Sequence, residues 1–188
     1  MDLIDANFKR YPGNYFWQCS LAILMFVLVL LFLDALEHTA IIATLGATAF
    51  IVFALPKSYS SRLRHLLGGY AVGIVVGCLC SYLALGLADS PSLSTGNAAV
   101  VISGAIAVGT AIFLMAILNM EHPPAAGMAL SLVINPWELE TMLFIVVAVL
   151  LFALVKEALK RFMIDLANTA AIDDERPGEG DPPAGTTA

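Results

Sequence analysis

A short run from Asn119 to Gly127 places an acid, an imidazole and two adjacent prolines in a stretch that otherwise carries no charge. An unpaired polar group in hydrocarbon costs several kcal/mol, roughly, so such residues persist there where they have partners or a task. His122, with an ordinary pKa near 6.5, can donate a hydrogen bond to an anion or relay a proton. Glu121 is either its acidic companion or a residue that faces the lipid headgroups.

The two prolines of this run indicate the start of a helix. Pro123 and Pro124 fit a first helical turn, where their missing amide hydrogens are not needed. They either simply restart a helix or aim its remaining amides and positive dipole at a ligand beside His122. Gly127 would let a ligand or another backbone come close. Asn119 is either a helix cap or an amide that lines a pore.

A second group of candidate residues lies earlier in the chain. Gly46, Ala47 and Thr48 are small or hydroxylated, and they either let helices pack closely or line a narrow path opposite His122. Glu37 and His38 come just before that segment, as an acid and an imidazole at an interface or as part of the site. The sequence shows no cluster of metal ligands and no activated nucleophile. We therefore expect neither a metal nor a cofactor.

The elements that carry these residues are membrane helices. Hydrophobic residues make up 60% of the 188 positions and charged residues 13%, which is too apolar for a soluble domain of this size. The sequence predicts an all-α, polytopic transmembrane helical bundle in a lipid bilayer, with no nucleic-acid partner. Five of the fifteen acids lie in residues 173–188, so the net charge of -6 mainly reflects an acidic tail.

Six apolar segments are predicted, at about residues 16–34, 40–55, 65–87, 97–118, 124–135 and 139–162. The fifth segment covers only about 18 Å as a helix, whereas a hydrocarbon core is roughly 30 Å thick. It is a half-span, a re-entrant piece, or a crossing completed by a broken helix at Glu121 to Pro124. The predicted domain order is an N-terminal segment 1–15, a transmembrane domain 16–162, and a largely disordered acidic tail 163–188.

The positions of the basic residues favour six crossings. Positively charged loops stay on the cytoplasmic side of a membrane. Six crossings with both termini in the cytoplasm place all nine Lys and Arg residues inside, and the opposite loops then carry only acids. No removable targeting segment is evident at the N-terminus. We expect a multi-pass protein of the inner (cytoplasmic) membrane.

The two halves of the chain suggest an internal repeat. In residues 16–87 a long apolar segment ends at Glu37 and His38, and a short segment and another long helix follow. Residues 97–162 repeat this order after Glu121 and His122. Two consecutive three-span units are inverted relative to each other, as in many secondary transporters, whose sites form at matching interrupted helices. The matched residues are few, and coincidence remains an alternative.

These residues together resemble the HPP family of integral membrane proteins, which is named for the His-Pro-Pro motif found here at His122, Pro123 and Pro124. The resemblance extends over about residues 16–160. It includes the Gly46-Ala47-Thr48 element, the basic loop from Pro56 to Arg64, the pair Gly68-Gly69 and the Ala-rich residues after Pro124. It implies a small transporter-like protein, since plant plastid members are associated with nitrite transport. The family is commonly described with four spans, whereas the charge pattern predicts six.

We therefore expect a permease or channel for a small monovalent anion, nitrite by resemblance, that passes between the two halves. One alternative is a membrane-embedded enzyme that uses Glu121 and His122 as acid and base. Another is a non-transporting scaffold subunit, in which Gly69, Gly73 and Gly77 pack against a partner. The sequence does not decide between a monomer and a homo-oligomer. If His122 gains a proton at the site, anion binding should strengthen at low pH.

Overall fold

The computed structural model describes residues 6–32, 39–88, 98–135 and 137–166, and the regular secondary structure in these ranges is all helical, as predicted. The helices are α1 (Ala6–Arg10), α2 (Pro12–Phe32), α3 (Thr39–Ala54), α4 (Leu63–Ala88), α5 (Ala98–Leu118), α6 (Pro123–Ile134) and α7 (Leu139–Leu159). A 3-10 turn, Tyr59–Ser61, lies between α3 and α4. Glu37, His38 and the acidic tail from residue 167 lie outside the described residues.

Four of these helices, α2, α4, α5 and α7, are long and apolar enough to cross a membrane. The other two apolar helices are shorter, with 16 residues in α3 and 12 in α6. At about 1.5 Å per residue, α6 extends over roughly 18 Å. Six crossings therefore remain a prediction, because α3 and α6 span the bilayer only where it is thin or where the flanking backbone is enclosed by protein.

The short helix α6 lies at the centre of the bundle. It packs against α3, α4 and α5, and α3 also packs against α2 and α7. Ala125, Met128 and Leu132 of α6 have no exposed surface. Positions three and four apart lie on one face of a helix, and these residues form the face of α6 that is enclosed by its neighbours.

One end of the bundle brings together both ends of the transmembrane region and two of its loops. The side chain of Gln18 in α2 is fully buried and donates to the carbonyl oxygens of Phe53 (2.6 Å) and Ile164 (2.9 Å). It also accepts the amide of Ile164 at 3.0 Å. The amide of Lys57 donates to the carboxylate of Asp165 at 2.9 Å. The start of α2, the end of α3 and the segment after α7 are thus fastened together.

The basic residues gather at this same end. Arg64, at the start of α4, donates to the carbonyl oxygen of Leu118 at the end of α5, 3.1 Å away. Lys156, near the end of α7, donates to the carbonyl oxygen of Ser61. Eight of the nine Lys and Arg residues lie in the described ranges, and we refer to the end where they lie as the basic end: Lys9, Arg10, Lys57, Arg62, Arg64, Lys156, Lys160 and Arg161.

Candidate functional site

His122 lies at the basic end, between α5 and α6, with no exposed surface. Its Nδ1 atom is 2.9 Å from the carbonyl oxygen of Ser60, and its Nε2 atom is 3.2 Å from the hydroxyl of Thr48 in α3. A carbonyl oxygen only accepts hydrogen bonds, so Nδ1 carries a proton. In the neutral ring, Nε2 therefore accepts the Thr48 hydroxyl, and both nitrogens are satisfied.

The hydroxyl of Thr48 continues this hydrogen-bond chain to Tyr70 in α4. The two oxygens are 2.6 Å apart, both side chains are buried, and the rings of Tyr70 and His122 lie 5.5 Å apart. The Thr48 oxygen is also 3.0 Å from the carbonyl oxygen of Thr44. We call Tyr70, Thr48 and His122 the hydroxyl-imidazole chain.

The protons of this chain can be arranged in two ways. With neutral His122, Tyr70 donates to Thr48 and Thr48 donates to Nε2 of the ring. With protonated His122, Nε2 donates to Thr48, whose hydroxyl turns to the carbonyl oxygen of Thr44, while Tyr70 keeps donating to Thr48. Both arrangements pair the polar hydrogens of the chain, so rotation of one hydroxyl accommodates a change in the charge of the ring.

The backbone around His122 follows from the residues on either side. Asn119 has φ 54°, the left-handed conformation that asparagine tolerates. The amide of Asn119 bonds to the carbonyl of Ala116, and that of Met120 bonds to Met115 at 2.9 Å, which is the Schellman ending of a helix. Asn119 is therefore the cap of α5. Its exposed side chain accepts the hydroxyl of Tyr59.

The two prolines begin α6 immediately after His122. His122 is extended, with φ -137° and ψ 96°, and occupies the N-cap position. Pro123 and Pro124 have no amide hydrogen, and the amide of Ala125 donates to the carbonyl oxygen of His122 at 2.9 Å. The first three residues of α6 therefore hold no free amide for a ligand. What this helix end presents to the site is its dipole and the His122 ring.

Glycines of α4 allow the loop and α6 to approach closely. A Cβ atom on Gly69 would lie 2.6 Å from the Cβ atom of His122, and one on Gly73 would lie 2.3 Å from the carbonyl oxygen of Ala125. A Cβ on Gly77 would lie 2.9 Å from the carbonyl oxygen of Ala129. These glycines form one face of α4, and that face is filled by α6 of the same chain.

The other predicted site residues surround this centre in different ways. Gly127 of α6 packs against α3, where an added Cβ would lie 2.9 Å from the methyl group of Thr44. Gly46 faces the ring of Phe26 in α2, and Ala47 is exposed on the outside of α3. Of the Gly46-Ala47-Thr48 element, Thr48 is the residue that contacts His122.

Glu121 is half-buried and belongs to a separate polar group at the surface of the basic end. The carboxylate of Glu121 interacts electrostatically with His65 of α4, and the centroids of the His65 and Tyr59 rings lie 4.0 Å apart. The His65 side chain is 3% exposed, and its Nδ1 atom has no hydrogen-bond partner among the described residues. The guanidinium of Arg62 lies 5.2 Å from the centre of the Tyr59 ring.

A buried lysine holds the turn to which His122 is bonded. Lys156 is 6% exposed and donates to the carbonyl oxygen of Ser61, the neighbour of the Ser60 carbonyl that accepts His122. The hydroxyl of Ser61 donates to the carbonyl oxygen of Pro56 at 2.6 Å. The 3-10 turn is thus bonded to Lys156 of α7 and to His122 in the loop before α6. Through the Ser60 carbonyl, this turn fixes the orientation of the imidazole, although it is not part of the hydroxyl-imidazole chain.

Several residues of the site were not identified from the sequence. Tyr70, Ser60 and Lys156 contribute to it, whereas Glu37 and His38 lie outside the described residues. Tyr70 directly follows the Gly68-Gly69 pair that lets the loop approach, and this adjacency was the available signal. The Lys156 signal was its position one turn inside the end of an apolar segment.

Comparison with known proteins agrees with this architecture. The family model for the HPP transmembrane region matches residues 9–163. A transmembrane protein of Dictyostelium discoideum is 29% identical over 121 residues, which cover 63% of this chain and 39% of that protein. The chain thus spans well under half the length of this relative. No solved structure shows a significant match.

Proposed function

Because the chain belongs to the HPP family of membrane proteins, we propose that it is a permease for a small monovalent anion, with nitrite as the first candidate by resemblance. The observation that carries the proposal is the hydroxyl-imidazole chain, buried where α3, α4 and α6 meet. Ionisable and polar side chains inside a membrane bundle are costly, and they commonly mark a substrate path. We assign that role to His122, Thr48 and Tyr70.

The chemistry of this group fits an anion. The Tyr70 hydroxyl, the Thr48 hydroxyl and the His122 ring each carry a polar hydrogen, and their present acceptors are one another and backbone carbonyl oxygens. A small oxyanion would accept these hydrogens in place of the carbonyls. Hydrogen bonds to a charged acceptor are roughly twice as strong as neutral ones. Replacing the carbonyl acceptors by a ligand therefore favours an anion. A cation would meet no negatively charged side chain among Tyr70, Thr48 and His122.

The route proposed for the anion runs between the two ends of the bundle. At the end opposite to the basic end, an open cavity of about 500 Å³ lies where α4 and α6 end and α5 begins. Its polar lining residues include Ser81 and Asn135, and the indole of Trp137 donates to the Ser81 hydroxyl at 3.2 Å. The helix α6, about 18 Å long, runs from His122 at its start to Ile134, which lines this cavity, at its end. We propose that the anion passes beside α6.

Helix packing supports an inverted repeat of α2–α4 and α5–α7. Exchanging α2 with α5, α3 with α6 and α4 with α7 turns each helix pair in contact into another pair in contact: α2 with α3 becomes α5 with α6, α3 with α7 becomes α6 with α4, and α2 with α7 becomes α5 with α4. The contacts of α3 with α6 and of α4 with α7 map onto themselves. Such a scaffold can expose a central site to either side by rocking one half against the other.

The surface on which the scaffold alternative depends is not available to a partner protein. The glycine face of α4 was the surface that a partner would use, and α6 of the same chain fills it. We further propose that the basic end faces the cytoplasm of a cell with an inner membrane, because basic loops are retained on that side. With this orientation, the proposed topology is six crossings with both termini in the cytoplasm.

Anion flux into liposomes tests the proposal. Purified protein is reconstituted, and uptake of nitrite, nitrate, formate and chloride is compared with that of empty liposomes. We expect nitrite uptake in the wild type and a loss of at least tenfold in His122→Asn. The asparagine amide can replace Nδ1 toward Ser60, but it removes the ring nitrogen that accepts the Thr48 hydroxyl and so breaks the hydroxyl-imidazole chain. His65→Asn removes a buried imidazole outside the hydroxyl-imidazole chain and serves as the matched control.

Two results would contradict the proposal. Uptake of every anion at the rate of empty liposomes would exclude an anion permease and would favour an enzyme or a scaffold. A folded His122→Asn protein that transports at the wild-type rate would remove His122 from the path. A strong preference for another anion of the panel would retain the permease and replace nitrite as its substrate.

A further inference from the structure

Lys156 is a positively charged side chain in the interior of the basic end. It lies in the last turn of α7, and 6% of its surface is exposed. Its ammonium group has three polar hydrogens, and in the part of the chain that the structure describes it makes one hydrogen bond, to the carbonyl oxygen of Ser61. An uncharged amide would make that bond as well. The bond therefore explains the position of the side chain but not its charge.

Among the described residues, no carboxylate is paired with this ammonium group. Glu157, the next residue of α7, forms its ion pair with Lys160 instead. The charged groups that interact electrostatically with Lys156 are Glu157, Lys160, Arg62 and Asp165. Two of these are negative and two are positive, so together they do not neutralise Lys156.

The end of α7 explains how the fold tolerates the charge. The C-terminal end of a helix carries the equivalent of about half a negative charge, which stabilises a cation in the last turn. This is less than a full counter-charge, and an enclosed cation without a counter-charge is costly. Charged side chains that are kept inside a membrane bundle at such a cost commonly have a functional role.

The 3-10 turn places this charge close to the imidazole of His122. The carbonyl oxygen of Ser61 accepts Lys156, and that of the preceding residue, Ser60, accepts Nδ1 of His122 at 2.9 Å. Because consecutive residues are only about 3.8 Å apart, the ammonium group lies within roughly 10 Å of the ring. At that distance in a protein interior, a positive charge strengthens the binding of an anion by roughly fivefold to tenfold.

We propose that Lys156 is a specificity-determining residue, whose positive charge favours a small monovalent anion at the hydroxyl-imidazole chain over an uncharged molecule of the same shape. This role rests on the proposed function of that same site. Tyr70, Thr48 and His122 offer hydrogen bonds, and an uncharged polar molecule accepts these as well. A full positive charge beside them comes from Lys156, the buried lysine or arginine among the described residues.

Ligand binding to the purified protein tests this role separately from transport. The unfolding midpoint in detergent is measured at constant ionic strength while formate or formamide, its uncharged counterpart, is added. In the wild type, formate should raise the midpoint at a concentration roughly fivefold to tenfold lower than formamide does. In Lys156→Gln, whose amide still donates to the Ser61 carbonyl, this preference should fall to about twofold or less. In liposomes, the same variant should need about fivefold more nitrite for half-maximal uptake, with the maximal rate close to that of the wild type.

Two further variants separate the effect of the charge from that of the structure. Lys156→Arg retains the charge and should retain the preference for formate. Lys160→Gln removes an exposed charge that is paired with Glu157 at the same end of α7, and it should retain the preference as well.

Three outcomes would overturn the role of Lys156: formate that stabilises the wild type no better than formamide, a preference that survives in Lys156→Gln, or a preference that Lys160→Gln or Lys156→Arg abolishes equally. The first comparison uses the wild type alone, so it decides the question even if Lys156→Gln does not fold. A wild type that prefers formate in the binding assay but takes up no anion in liposomes would exclude the permease and retain the role of Lys156.

Discussion

The Nδ1 atom of His122 donates to the carbonyl oxygen of Ser60, 62 residues earlier in the chain, at a distance of 2.9 Å. This bond fixes which ring nitrogen holds the proton, because the carbonyl oxygen cannot donate. The opposite nitrogen is consequently an acceptor and needs the hydroxyl of Thr48. Thr48 thus decides whether the imidazole and the hydroxyl of Tyr70 are both satisfied.

Replacing Thr48 by valine should impair both stability and transport. The change keeps the shape of the side chain but leaves the Nε2 atom of His122 without a partner in a buried place, and the Tyr70 hydroxyl keeps only a long bond of 3.5 Å to the carbonyl oxygen of Thr44. Such unpaired groups cost about 1–3 kcal/mol each. We expect a thermal unfolding midpoint in detergent several degrees lower and anion uptake at least tenfold slower.

The matched variant is Thr48→Ser, which keeps the hydroxyl and loses only a methyl group. It should transport within about twofold of the wild type and lose about 1 kcal/mol of stability or less. Equal uptake by the valine and serine variants would show that the hydroxyl is not part of the transport path.

The helices and the central residue of the site could be predicted from the sequence for a physical reason. Long apolar segments and a lone imidazole between them have few explanations in a membrane. The predicted start of the helix at Pro123 followed from the restricted backbone of proline. Its end at Ile134 agrees with the predicted segment 124–135 to within a residue.

The partners of His122 could not be predicted in the same way. A membrane helix is apolar on every side, so its sequence does not reveal which face turns inward. Tyr70 therefore gave no sign that it meets Thr48. In the sequence, Lys156 counted only as one of the nine basic residues placed on the cytoplasmic side, but the chain folds so that its amino group reaches the Ser61 carbonyl in the interior.

Adding one methyl group at Gly69 should displace the imidazole. In Gly69→Ala the new Cβ would lie 2.6 Å from the Cβ of His122 and 3.1 Å from the carbonyl oxygen of Met120. Neither atom is the flexible end of a side chain, so the loop must move. We expect a loss of about 1–3 kcal/mol of stability together with slower anion uptake.

The control for crowding at Gly69 is Gly86→Ala in the same helix, where an added Cβ meets nothing within 4 Å. That change should stabilise α4 by up to about 1 kcal/mol, since alanine favours helix more than glycine does. If Gly69→Ala and Gly86→Ala had the same unfolding midpoint, α4 would not be in tight contact with the His122 loop.

Replacing the buried Gln18 should lower the stability of the protein and leave transport by the folded protein unchanged. Gln18→Leu leaves the carbonyl oxygens of Phe53 and Ile164 and the amide of Ile164 without their partner. We expect a loss of about 3 kcal/mol or more in the unfolding free energy, measured by chemical denaturation in mixed micelles. Protein that remains folded should transport like the wild type, because Gln18 does not contact the hydroxyl-imidazole chain. Asn14→Ala, which removes one exposed bond, should cost about 1 kcal/mol or less.

Cysteine labelling decides whether α6 crosses the membrane. The Lys57–Asp165 bond places the loop after α3 and the segment after α7 at one end. Six crossings then require that Leu139, at the start of α7, lies at the other. In a background without Cys19, Cys78 and Cys80, a membrane-impermeant maleimide should label Lys57→Cys and Arg161→Cys from the cytoplasmic side. Leu139→Cys, whose native side chain is 73% exposed, should be labelled from the opposite side. Labelling of Leu139→Cys from the cytoplasmic side, with Arg161→Cys labelled from the opposite side, would mean that α6 enters and returns, and the path proposed beside it would then not cross the bilayer.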